Sequence, residues 1–176
     1  MKKRFKTQDV VYIGLCSALI AICSWISIPA TVPFTMQTFA VALTGMLLGG
    51  KKGVAAVVVY ILLGAAGLPV FSGFRSGIGV LLGTTGGYIV GWIFYVLLSG
   101  IAGMYCNKPV KAILINCAGL FACYAFGTLW YAAAYSSDKT IPAILFTCVT
   151  PFILPDIIKI VLAFICAKRM KKFGFR

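Results

Sequence analysis

The stretch TPFILPDIIKIVLAFICAKRMKK, residues 150–172, decides how the rest of the chain is read. It is apolar over a length that crosses a bilayer, yet Asp156 and Lys159 sit well inside the run, and Asp156 is one of only three acidic residues in 176. On a helix, a spacing of three puts both side chains on one face. That face continues through Phe152 and Ala163 to Cys166 and Ala167, while Ile157, Ile158, Val161, Leu162 and Ile165 cover the remainder, so the pair is expected to look inward. An ionisable residue at bilayer depth costs roughly 2.5–3.5 kcal/mol on insertion scales and is read by default as functional. The alternative is an internal salt bridge that only packs helices.

Composition sets the surroundings of this pair. With 61% hydrophobic residues, 11% charged residues and a mean hydropathy of +1.03, the chain lies outside soluble globular usage and reads as an integral membrane protein. Sixteen Lys and Arg stand against Asp9, Asp138 and Asp156, with no Glu and no His, for a formal net charge of +13. Such a charge suggests nucleic acid, but there is no soluble module with a basic and aromatic face to carry it. The seven cysteines (Cys16, Cys23, Cys106, Cys117, Cys123, Cys148 and Cys166) form no CxxC pair and have no histidine partner, so they read as small buried apolar residues. A single buried carboxylate without histidine also argues against a metal site.

The N-terminal MKKRFKTQDVVYIGLCSALIAIC begins like a signal peptide, but its apolar run continues too far, so it is read as a retained first span. Pro29 and Pro33 break the uncharged region that follows Asp9, giving spans at 10–28 and 35–49. The second is short against the roughly 20 residues of a full crossing, so ATVPFTMQ is expected to fold back into protein, with Gln37 as a polar side chain near one face. Lys51 and Lys52 mark a tight connection to a third span at 53–68. LPVFSGFRSGIGVLLGTTGGY is too glycine-rich for one regular helix and is expected to form a re-entrant or loop segment over 69–82. Further spans are expected at 83–105, 112–135 and 151–168, separated by the polar turn at 107–111 and a short SSDKT loop. Thirteen of the sixteen basic residues then fall on one side, with Arg75 and Lys139 on the other and Lys159 within the membrane. The positive-inside rule accordingly places both termini in the cytoplasm of a six-span, all-α protein, one domain over 1–176.

Other motifs are weaker. GMLLGGKK, 45–52, has the G-x-x-x-x-G-K of a phosphate loop, but Lys52 stands where Ser or Thr must hold magnesium, and the run lies at a helix end rather than after a strand. Gly14, Ser17, Ala18, Ala21 and Ser24 form one small-residue face on the first helix, suited to packing within the chain or to docking a membrane partner through Gly14, Ala18 and Ala21. Gly79, Gly83, Gly87 and Gly91 recur at every fourth position beside Tyr88 and Trp92, offering a groove to a neighbouring helix or a ligand. Phe39, Phe71 and Trp130 are aromatic residues able to wall a flat ring. One Asp and one Lys are too few for a proton relay, and without His, paired carboxylates or G-x-S-x-G there is no catalytic constellation.

Three stretches together, VPFTMQTFAVALTGMLLGG (32–50), GLPVFSGFRSGIGVLLGTTGGYIVG (67–91) and PDIIK (155–159), resemble BioY, the biotin-specific substrate-binding or S component of energy-coupling-factor (ECF) vitamin transporters. The resemblance implies a six-helix S-component fold in a prokaryotic cell membrane, no enzymatic activity and no cofactor. It implies a biotin site near the outer face, and a first helix that docks a transmembrane coupling subunit working with two cytoplasmic ATPases. It places biotin contacts on Asp156, Lys159 and Arg75. Tyr88, Gln37 and Phe71 complete the candidate pocket, in which either Asp156 and Lys159 take the ureido head and Arg75 the carboxylate, or the pose is reversed and Lys159 takes the carboxylate. Thr84 stands where the family has proline in G-P-T-G-G-Y, and Arg75 where some members have asparagine. The competing readings are an S component for another vitamin and a stand-alone small-molecule carrier.

Overall fold

The computed structural model describes residues 6–29, 33–135, 146 and 149–172. The expected SSDKT loop with Asp138 and Lys139, and Cys148, lie outside the described residues, as do Lys2, Lys3, Arg4 and Arg176 among the basic residues and the 30–32 part of ATVPFTMQ.

Most of the apolar runs become helices, the last of them continuing through Pro155. They are α1 (Thr7–Trp25), α2 (Gln37–Leu48), α3 (Gly50–Ala65), α4 (Ile78–Leu82), α5 (Gly86–Ala102), α6 (Pro109–Tyr135) and α7 (Thr150–Lys172). Among the described residues, four helical runs are long and apolar enough to cross a membrane: Thr7–Trp25, Gly86–Tyr105, Pro109–Tyr135 and Thr150–Lys172. At 12 and 16 residues, α2 and α3 are shorter. Ten of the 12 residues of α2 are buried, which explains how so short a helix persists: its ends meet protein rather than lipid.

Several boundaries differ from the sequence expectation for local reasons. The first helix stops at Trp25 because Ser27–Ile28 (β1) pairs antiparallel with Phe34–Thr35 (β2), a small hairpin between α1 and α2. Lys51 and Lys52 are not a loop but the first turn of α3, since Gly49 alone, at φ 78°, reverses the chain between α2 and α3. The glycine-rich 67–85 segment is a turn at Ser72–Phe74 followed by the single-turn α4, and α5 begins at Gly86 rather than 83. There the approach to Leu81 is so close that a Cβ on Gly86 would fall 1.7 Å from its carbonyl oxygen.

The helices leave the bundle with two unlike ends. At one, Lys52 Nζ lies 2.5 Å from Asp9 Oδ1, tying the start of α3 to the start of α1. Lys171 Nζ donates to the Gly103 carbonyl at 2.6 Å and Lys111 lies 3.9 Å from the centre of the Tyr105 ring, so the end of α7 meets the α5–α6 turn there as well. At the other end, Trp25 Nε1 donates to the Pro69 carbonyl at 2.9 Å and Trp130 Nε1 to the Gly83 carbonyl at 3.1 Å, holding the 67–85 segment over the bundle. α5 and α6 pack along each other through missing side chains: a Cβ on Gly87 would meet Trp130 at 2.3 Å, and one on Gly91 would meet Cys123 at 3.0 Å. The four-residue glycine repeat thus continues as helix packing in α5, whereas a Cβ on Gly79 would find open space.

Candidate ligand cavity

Asp156 and Lys159 share a face of α7, as their spacing requires, and both are buried at 4% and 5% exposure. Lys159 Nζ lies 2.7 Å from Asp156 Oδ1 and donates to the Thr35 carbonyl, also at 2.7 Å. Its charge sits 3.6 Å from the centre of the Phe34 ring. Tyr124 of α6 donates its hydroxyl to Asp156 Oδ2. The hairpin is what brings Phe34 and Thr35 here: Ser27 pairs with Thr35 and Ile28 with Phe34, and Phe34 then stacks on Phe152 of α7 at 6.0 Å. A cation and an anion buried together are thereby supplied with the hydrogen bonds that their desolvation demands.

The pair forms the floor of a cavity. An inner chamber of about 450 Å³ is lined by Asp156, Lys159, Tyr124, Cys123, Leu120, Phe152 and Thr38. It shares Pro33, Thr35, Tyr88 and Trp92 with an outer chamber of about 390 Å³, lined further by Gln37, Tyr60, Phe71, Ser72, Arg75, Val80, Thr85 and Ile89. Pro33, Ser72 and Arg75 also border a mouth with Ser27, Pro29 and Gly73. The cavity therefore runs from an exposed arginine to a buried ion pair, between mostly apolar and aromatic walls. A few polar groups set in apolar and aromatic walls are the lining of a small-molecule site.

All six candidate ligand residues border this one space. Gln37 opens α2 and donates to the Tyr60 hydroxyl at 2.8 Å while accepting from Thr35 Oγ1 at 3.2 Å, so the polar residue expected near a membrane face is in the cavity wall. Phe71 is 1% exposed and meets Tyr60 edge-on at 5.6 Å; it fits because Gly64 has no side chain, a Cβ there falling 2.1 Å from the Phe71 ring. Tyr88 lies against Gly127, with its hydroxyl 3.3 Å from Thr128 Oγ1. Arg75 stands at the mouth with Nε donating to the Ser72 carbonyl at 3.1 Å. Phe39 and Trp130 are not among the lining residues of these chambers.

The docking candidates separate. Gly14 and Ala18 are exposed on α1, whereas Ala21 is buried. The same helix turns Ser17 and Ser24 inward, their hydroxyls donating to the carbonyls of Ala56 at 2.8 Å and Val70 at 2.6 Å. Small size serves two ends here, and only part of the stripe is open. The 45–52 run forms the end of α2 and the start of α3, where a Cβ on Gly45 would lie 2.5 Å from Ser99 Cβ.

Sequence reasoning missed Tyr124, Thr35, Phe34 and Tyr60. Tyr124 lies in an apolar helix where nothing sets it apart from a core aromatic residue, and Thr35 acts through its backbone. The VPFT stretch drew notice as a fold-back segment and as part of the family resemblance, but not as a source of contacts to the ion pair.

Membrane-length helices with apolar exteriors, enclosing a cavity with a charged floor, define a multi-pass membrane protein with a small-solute pocket. A family model described as the BioY family matches residues 1–175, and the chain belongs to that family. It is 39% identical over 166 residues to the biotin transporter BioY of Thermotoga maritima, covering 94% of this chain and 96% of that one. It is 35% identical over 167 residues to the probable biotin transporter BioY of Pyrococcus horikoshii, covering 94% and 98%. Among solved structures it is similar to the S-component for biotin from an ECF-type ABC transporter, with a TM-score of 0.84 at 26% identity over the whole of both chains.

Proposed function

We propose that this chain is the biotin-binding membrane subunit of an ECF-type importer. The observation that carries this reading is the donor and acceptor held 2.7 Å apart at the cavity floor, Lys159 beside Asp156. A cyclic urea presents an N–H and a C=O side by side on one edge, and a neutral head of this kind suits a pair whose charges cancel. The urea N–H gives to Asp156, the carbonyl accepts from Lys159, and hydrogen bonds to charged groups are about twice as strong as neutral ones. Tyr88, Trp92 and Phe71 flank the apolar ring, and the acid tail reaches Arg75 at the mouth.

In this reading the chain is a single domain, and α1, α2, α3, α5, α6 and α7 are the six helices of an S-component fold with both termini in the cytoplasm. Two observations support it. The end that joins Asp9 to Lys52 and Lys171 to Gly103 gathers the basic turns favoured inside. The cavity mouth, bordered by the hairpin and the 67–85 segment, lies at the other end, toward an arriving nutrient. Gly14 and Ala18 form the contact for a transmembrane coupling subunit, and two cytoplasmic ATPases supply the energy.

Two measurements test this. The purified chain should bind biotin and bind its amide only modestly more weakly; abolition of binding by amidation would put the carboxylate on Lys159 and reverse the orientation. Ala18→Phe should leave biotin affinity intact while impairing uptake, and equal loss of both would remove α1 as the docking helix.

A further inference from the structure

We propose that Tyr124 sets the selectivity of the cavity floor by occupying half of Asp156. The inference rests on the reading of a cyclic urea at Asp156 and Lys159, and names what that floor rejects. The two carboxylate oxygens of Asp156 are held separately: Oδ1 faces Lys159 Nζ at 2.7 Å, and Oδ2 accepts the Tyr124 hydroxyl. A carboxylate with its edge free offers two acceptors side by side, the complement of the parallel N–H groups of an amidine or guanidinium. Tyr124 removes that option. What remains is the second lone pair of Oδ1 beside the Lys159 donor, which complements the N–H and C=O edge of a urea or an amide.

The placement of Tyr124 is built into the fold. Its ring is buried, edge-on to Phe121 at 6.4 Å and 84°, and borders the inner chamber beside Asp156 and Lys159. One turn later on α6, Gly127 accommodates the Tyr88 ring, so α6 supplies both a wall and a hydrogen-bond donor to the site. Tyr124 is a positioning residue in this account: it acts on selectivity through Asp156. Loss of its hydroxyl frees Oδ2 and turns the floor toward cations with paired N–H groups.

The test compares two ligands on the purified full chain in detergent: biotin, and the analogue whose ring carbonyl oxygen is replaced by an imino nitrogen. In Tyr124→Phe the ratio of the two Kd values should shift toward the imino analogue by about tenfold or more, the scale of one charge-assisted hydrogen bond. Tyr124→Leu, which removes the ring as well, should shift the ratio the same way. An unchanged ratio, including parallel loss of both affinities, overturns the proposal and leaves Tyr124 with a packing role. Failure of the wild-type chain to bind biotin overturns the reading on which the proposal rests, and shows before any variant is made.

Discussion

Two aspartate–lysine pairs stand at different depths of this molecule. Asp9 and Lys52 meet at 2.5 Å with side chains 17% and 38% exposed, whereas Asp156 and Lys159 meet at 2.7 Å with both side chains 6% exposed. Distance does not separate them; surroundings do. The first pair joins the first turns of α1 and α3 where water can take up its remaining hydrogen-bonding capacity. The second lies within one helix and depends on the Tyr124 hydroxyl, the Thr35 carbonyl and the Phe34 ring for what water would have given. An ion pair that fastens helices needs two elements and a wet edge. The second pair, in the proposed reading, recognises a solute because it is buried with one side left toward the cavity.

Mutation can break this contrast at its strongest point. Lys159→Ala leaves Asp156 as an uncompensated buried charge, an effect of about 3–5 kcal/mol. Biotin binding by isothermal titration should fall below detection, and an unchanged affinity would sink the site. Arg75→Ala acts at the exposed mouth, where a charge pair is worth about 1 kcal/mol or less, so the Kd should rise by no more than about a factor of ten. An effect as large as that of Lys159 would show that the mouth, not the floor, anchors the ligand. The smallest effect is expected at the other pair: Lys52→Ala should leave biotin affinity unchanged, and a loss of affinity there would mean that the two ends of the bundle are coupled.

The buried half of this contrast was legible in the sequence, while the pairing of Asp9 with Lys52 was not. A charged pair spaced by three in an apolar run has few interpretations, and hydropathy located α1, α5, α6 and α7 to within a few residues. The 67–91 piece pointed to Arg75 through its resemblance to the family, while its glycines marked only the break in helix before α5. Tyr124 escaped because its partner is 32 residues away on another helix, a proximity that hydropathy does not encode. Thr35 escaped because a backbone carbonyl carries no residue-type signal. The small-residue stripe of α1 showed the limit in another way: spacing made Gly14, Ala18 and Ala21 equivalent, and only the packing of α1 on the rest of the bundle set Ala21 apart.

The one-residue reversal at Gly49 has a consequence for biosynthesis. Twelve helical residues rise about 18 Å, well short of a hydrocarbon core of about 30 Å, so α2 is a poor stop-transfer segment alone. With Gly49 as its only spacer from Gly50, it has no slack with which to wait in the translocation channel until α3 emerges. In the proposed six-helix reading the two helices therefore enter the lipid as a hairpin. That hairpin then becomes the seat for α5, since a Cβ on Gly100 would fall 2.2 Å from the Gly50 nitrogen.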